Sequence, residues 1–152
     1  MSGLEPAGGR PIEVAIVAGT DHAVIVADAQ GTIRFWNPAA ERILGHPRSE
    51  ALGRSLDLII PATLRDRHWD GWHRVVASGE TDYAGRTLAV PAVRADGTRI
   101  SVEFTVTILR GPDGAFTAIA AVLRDVTAQW EEQRALRRRV AELEHELAAR
   151  RG

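Results

Sequence analysis

A chain of 152 residues, 45% apolar and 26% charged, is long enough for one domain with an appendage and too apolar to be disordered as a whole. Its formal net charge of -1 excludes the basic footprint of a nucleic-acid binder. The absence of cysteine excludes disulfides, thiolate metal ligands and cysteine nucleophiles, and because all 19 basic residues are arginine, lysine chemistry is excluded too. No run approaches about 18 apolar residues, and Met1 to Pro6 lacks a basic stretch leading into an apolar one. Neither a membrane span nor a signal peptide is indicated, and a cytoplasmic setting is expected.

Residues 1–11, with Pro6, Gly8, Gly9 and Pro11, read as a flexible leader, and 12–20 as a short helical cap ended by Gly19. Ala23 to Ala27 and Thr32 to Trp36 form a hairpin around Asp28-Ala-Gln-Gly31. Asn37-Pro38 then starts a helix, because Asn accepts from the first free amides and proline is shaped for the first helical position; Gly45 ends it. His46 to Leu56, broken by Pro47 and Gly53, reads as one or two helical turns, and 61–79 as a longer helix. Arg86 to Val93 is a strand that Pro91 confines to an edge or a bulge. Ile100 to Ile108 alternates, with Ile100, Val102, Phe104, Val106 and Ile108 on one face, and Phe116 to Leu123 is the last strand.

From Asp125 the composition shifts to Glu, Arg, Ala and Leu. Leu136, Val140, Leu143 and Leu147 are spaced 4, 3, 4 along a coiled-coil seam, and an isolated helix of that length is marginal in water. A parallel homodimer through residues 128–150 is expected.

The stretch Pro61 to Gly79 concentrates two histidines, two of the four tryptophans and three arginines. On a helix, Leu64, His68, Trp72 and Val75 share one narrow face, whereas His73 falls with Trp69 and Val76. A neutral imidazole on an apolar wall suits an iron ligand, but a helical histidine is more often simply hydrogen-bonded. His68 is the candidate, and His73 the substitute if the helix phase differs. His22, His46 and His145 read as solvated. Trp36, Trp69 and Trp72 either wall a planar cofactor or belong to the core.

Three segments resemble a PAS domain: Phe35-Trp-Asn-Pro-Ala-Ala-Glu-Arg-Ile-Leu-Gly45, Arg94-Ala-Asp-Gly-Thr-Arg-Ile-Ser-Val-Glu-Phe104 and Ala120-Ala-Val-Leu-Arg-Asp-Val-Thr127. The resemblance covers residues 21–127 and implies an α+β fold, a five-stranded antiparallel sheet with helices on one face and a pocket between them, followed by a coiled-coil helix over 128–152. Asp125-Val-Thr127 is similar to the family's Asp-x-Thr junction between the last strand and an output helix. Arg67-His-Trp-Asp-Gly-Trp-His-Arg74, with Ala77-Ser-Gly-Glu80, is further similar to haem-binding PAS sensors of the oxygen-sensing kinase type and to CO-responsive haem PAS regulators. That resemblance implies haem b, with His68 as the proximal ligand and Arg74 beside a propionate. Where oxygen-sensing relatives carry a distal arginine, this chain has Leu88, and its sole methionine is Met1. The expected distal wall is Leu88, Val90, Phe104, Val106, Ile119 and Leu123, with Tyr83 and Arg86 as the nearby polar groups, and Leu64 and Trp72 beside His68.

The function expected is a sensory module for a diatomic gas, CO or NO ahead of O2, or for redox state, signalling through the dimeric coiled coil to a downstream effector. The alternative is a PAS dimerisation module holding flavin, another small molecule or nothing. No nucleophile elbow, phosphate loop or metal triad argues for an enzyme, although a haem could show incidental peroxidase or carbene-transfer activity. No output domain follows residue 152, so the chain reads as a stand-alone sensor or as the sensory part of a longer one.

Overall fold

The computed structural model describes residues 9–83 and 85–152. Most of the expected leader lies outside the described residues. Helix α1 (Ile12–Gly19) leads into a hairpin of β1 (Ala23–Asp28) and β2 (Ile33–Trp36). Two short helices follow, α2 (Pro38–Leu44) and α3 (Arg48–Ala51), and then two 3-10 turns, Leu56–Leu58 and Ala62–Leu64. Helix α4 (Arg65–Ser78) precedes three strands, β3 (Leu88–Val93), β4 (Arg99–Arg110) and β5 (Phe116–Asp125), and α5 (Thr127–Arg151) ends the chain.

The five strands form one sheet in the order β2-β1-β5-β4-β3, and every neighbouring pair is antiparallel. The first and last strands of the chain thus lie side by side in mid-sheet. β3 is an edge strand, which is where Pro91 is tolerated because no ladder partner needs its missing N–H. The expected mixed α+β architecture, with helices covering one face of an antiparallel sheet, is the one observed.

One buried amide ties the N-terminal half together. Asn37 is almost wholly buried, and its side-chain oxygen accepts from Ala40 N (2.9 Å) and Val24 N (2.9 Å). Its Nδ2 donates to the carbonyls of Val17 (2.9 Å) and His22 (3.0 Å). The bond to Ala40 is the helix cap that the sequence announces; the other three join α1, β1 and α2 at a single point. Trp36, from the neighbouring position, is core: its indole N–H donates to His46 O at 3.0 Å, and it is not among the residues lining the cavity described below. That packing also corrects the reading of His46. Its ring lies edge-on to Trp36 and is half-buried, with Nε2 inaccessible and unpartnered, because the loop folds back to offer its carbonyl to the indole.

At the other end of the sheet, Val126 is buried and its N–H donates to Ser101 O (2.8 Å), while Ser101 N–H donates to Thr127 Oγ1 (2.9 Å). Thr127 N–H and Oγ1–H both donate to Asp125 Oδ1. The start of α5 is therefore bonded to the start of β4 and the end of β5.

Replacing Asn37 with Ala removes the cap and leaves two amides and two carbonyls without their partner. Urea unfolding is expected to show a loss of about 2–4 kcal/mol. Asn37→Asp keeps both accepted bonds but turns a carboxylate toward the Val17 and His22 carbonyls, so it is expected to destabilise the fold as well.

Candidate ligand-binding site

α4 crosses the sheet face at a distance set by its tryptophans. Trp72 Nε1 donates to Ala29 O in the β1–β2 turn (2.9 Å), and Trp69 Nε1 donates to Asp57 Oδ1 (2.7 Å). The far ring of Trp69 lies directly over Gly31, where a Cβ would come within 2.2 Å of it, and Gly31 also has φ +75°. Glycine is required there twice, for its backbone conformation and for the indole above it.

Between α4 and the sheet lies a cavity of about 230 Å³. His68, Gly71, Trp72 and Val75 supply its helical wall at i, i+3, i+4 and i+7. The sheet supplies Leu88, Val90 and Ala92 from β3, then Val102, Phe104, Val106 and Ile108 from β4. β5 adds Ile119, Ala121 and Leu123, and β1 adds Ile25 and Ala27. Leu56, Ile59 and Ile60 close one end, and Thr81 and Tyr83 stand at the other.

Of the residues expected around a ligand, His68, Trp72, Leu88, Val90, Phe104, Val106, Ile119 and Leu123 come together on this cavity. Leu64 does not line it. The expectation counted Leu64 on the helix, but Ala62–Leu64 is a 3-10 turn and α4 begins at Arg65, so Leu64 is rotated off the face that carries His68. Arg74 and Arg86 also stay outside the lining and are exposed, though the Arg74 guanidinium turns back toward Gly71, 3.9 Å from where a Cβ at Gly71 would be. His73 is exposed, and Trp69 packs on Gly31 rather than on the cavity.

Sequence reasoning missed the small residues Gly71, Ala27 and Ala121, which make the room. Gly71 was legible in the repeat of His68 at i+3, and Ala121 in the alternation of β5. Ile59 and Ile60 carried no such signal, because the turn that places them has no period.

Besides the Trp72 indole, whose N–H is committed to Ala29 O, His68 is the one nitrogen-bearing side chain on the described cavity wall. His68 packs edge-on against Trp69 (centroids 4.7 Å) and tilted against Trp72 (5.8 Å), and its Nδ1 is buried without a hydrogen-bond partner. Burial pushes its pKa down, with the Asp57 carboxylate acting weakly in the other direction. The ring is therefore neutral at pH 7, the form in which imidazole offers an electron pair. No group of three or more His, Cys, Asp or Glu gathers among the described residues.

Residues 14–126 match the profile of a family described as PAS fold. The chain is 42% identical over 117 residues to an uncharacterised protein of Azorhizobium caulinodans, covering 76% of this chain and 16% of that protein. It is 29% identical to the sensor protein FixL of Bradyrhizobium diazoefficiens (81% of this chain, 24% of that one) and 22% identical to the oxygen sensor protein DosP of Escherichia coli (80% and 15%). It thus spans less than a quarter of the length of these relatives. Among solved structures, an RNA-binding light-oxygen-voltage receptor superimposes with a TM-score of 0.68 at 26% identity, covering 96% of this chain and 41% of that one.

Two outcomes follow from the helical wall. Gly31→Ala, which sets a Cβ against the Trp69 ring in a strained conformation, is expected to cost about 1–3 kcal/mol and to shift the tryptophan emission, as read by thermal melts and fluorescence. Because the folded pKa of His68 lies below the unfolded value of about 6.5, the unfolded chain binds more protons between the two, so stability rises with pH across that window and falls on acidification through it. Urea midpoints measured from pH 7 downward should show this slope in the wild type and a shallower one in His68→Leu.

Proposed function

We propose, from the premise that the chain belongs to the PAS family, as its residues 14–126 show, that the cavity holds haem b with His68 as its protein ligand, and that the chain is the sensory module of a signalling protein responding to a diatomic gas or to redox state. The observation that carries this reading is the single neutral imidazole, with a buried and unpartnered nitrogen, set in a wall that is otherwise almost wholly apolar. A metal held by side chains alone needs several ligands together, whereas haem brings four nitrogens of its own and asks the protein for one.

The apolar lining supports the same group, since most of a porphyrin's surface is hydrocarbon. Arg74, exposed beside Gly71 at the edge of the helical wall, is the cation available to a propionate. Haem supplies, when bound, an iron with a position open to a small ligand and a redox couple. His68 would hold the iron, Trp72 holds the helix at its height, and Leu88, Phe104, Val106, Ile119 and Leu123, with the part-exposed Val90, would give the group an apolar wall. None of those six side chains carries a hydrogen-bond donor. O2, whose binding gains most from a donor, is served less well by that wall than CO or NO, the hydroxyls of Thr81 and Tyr83 being the donors elsewhere on the lining.

Similarity to a protein named as an oxygen sensor and to another named as a sensor supports the sensory reading. The family is generally one of non-enzymatic signalling modules. β5 carries Ile119, Ala121 and Leu123 on the cavity and ends at Asp125, two residues before α5 begins. A ligand that displaces this wall acts on the root of α5, which in this reading pairs with a second copy over residues 128–150 and presents the signal to an effector.

Flavin is the weaker occupant. An isoalloxazine edge is rich in donors and acceptors, and the described lining offers it no Asn or Gln. The chain also has no cysteine for a flavin adduct.

The visible spectrum of protein produced with a haem precursor tests this. A strong Soret band is expected, lost or shifted in His68→Ala and retained in His73→Ala. A flavin envelope would favour the alternative occupant, and a protein that stays colourless after reconstitution with haem would overturn the proposal.

A further inference from the structure

α5 runs for 25 residues, and its apolar stripe has no cover: Leu136 is 60% exposed and Val140 54%. Spacing sets Val140 and Leu147 at heptad position a, and Leu136 and Leu143 at d; of the a residues Val140 is β-branched, the type that with leucine at d suits two parallel strands. The seam chooses only in part: a slip of one heptad still sets Leu136 beside Leu143 and Val140 beside Leu147, though it sets Gln133 against Val140 and Arg150 against Leu143.

The flanking charges do choose. Position g carries Glu132, Arg139 and Glu146, and position e carries Arg137, Glu144 and Arg151, so the sign inverts from each heptad to the next at both positions. In a parallel pair a g residue faces the e residue five positions further along the other strand. In register, Glu132 meets Arg137 of the second copy, Arg139 meets Glu144 and Glu146 meets Arg151, all attractive. Displace one strand by a heptad in either direction and every surviving pair is Glu with Glu or Arg with Arg.

We infer that α5 is a register-specified dimerisation helix whose occupant is a second copy of this chain, parallel and unstaggered, with the alternating g and e charges excluding the heptad slip. This rests on the dimeric reading proposed above and adds its geometry. In the single chain, Arg139 instead pairs with Glu142 one turn away (3.2 Å), on the exposed helix surface. Pairing between copies takes Arg139 away from that contact.

Complementary charge swaps in the full chain test the assignment. R139E and E144R each turn two attractive pairs of the dimer into like pairs, and each alone is expected to raise the dimer Kd about tenfold in sedimentation equilibrium. An equimolar mixture of the two restores opposite charges at both contacts and is expected to return to near the wild-type Kd. E142Q, which removes only the contact within one helix that pairing between copies must break, should leave the Kd unchanged or lower it. Because the chain has no cysteine, Leu143→Cys is a clean probe: oxidation should join like chains at that position. If the wild type is a dimer but the swaps change nothing singly or mixed, or if only a mixture of L136C with L143C cross-links, the register falls while the dimer stands. A wild type that stays monomeric at tens of micromolar overturns the dimer and this inference with it.

Discussion

Two indole hydrogen bonds hold α4 where it is, and the cavity exists because of that. Trp72 reaches the β1–β2 turn across 43 residues of sequence, and Trp69 reaches Asp57 in the 3-10 turn Leu56–Leu58. Each bond satisfies a donor that would be costly to bury alone, so neither ring can slide without loss. The helix is thereby fixed at two points one turn apart and held off the sheet by the bulk of its own side chains. Gly31 takes part from below, since only a residue without Cβ lets the Trp69 ring settle onto the turn.

With the helix held at that height, residue size decides whether the space fills. Ala27, Ala121 and Gly71 line the cavity where leucine or isoleucine would have closed it. Phe104 and Trp72 add bulk at other points of the wall. An interior normally packs to crystal-like density, and a void of this size forfeits contacts on every side of it. In the proposed reading, the group that enters beside the unpartnered imidazole nitrogen recovers those contacts. The depressed pKa of His68 belongs to the same arrangement, because the apolar surroundings that leave the nitrogen without a partner also keep its ring neutral.

Period and punctuation made much of this legible from sequence. The alternation of Ile100 to Ile108 gave the inner face of β4, and Asn37-Pro38 gave the start of α2, because both rest on local geometry that each residue carries with it. What was not legible depends on where the chain returns. Asn37 reads as a helix cap, yet three of its four side-chain bonds run to Val17, His22 and Val24, which no local rule connects to it. Leu64 was misplaced for a related reason: a 3-10 turn and an α-helix look alike over three residues but advance by different angles, and the error rotates a side chain out of the site. His46 was read as solvated because its segment is polar, whereas its exposure is set by Trp36, ten residues earlier.

The junction at residues 125–127 limits how the proposed sensor can convey a change to α5. Asp125 and Thr127 bond to each other, Thr127 and Val126 bond to Ser101, and Val126 is buried, so the first turn of α5 is part of the domain and moves with the ends of β4 and β5. Further along, the alternating charges of the inferred dimer oppose a one-heptad slide. A helix anchored at its root and held against sliding can still rotate about its axis or splay, and Gln129 and Gln133 on the core line make the segment next to the domain the weaker part of the seam. In the proposed dimer, a shift of the β5 wall therefore changes the separation or rotation of the two helices over their first two turns, while the leucines beyond Leu136 keep the copies together.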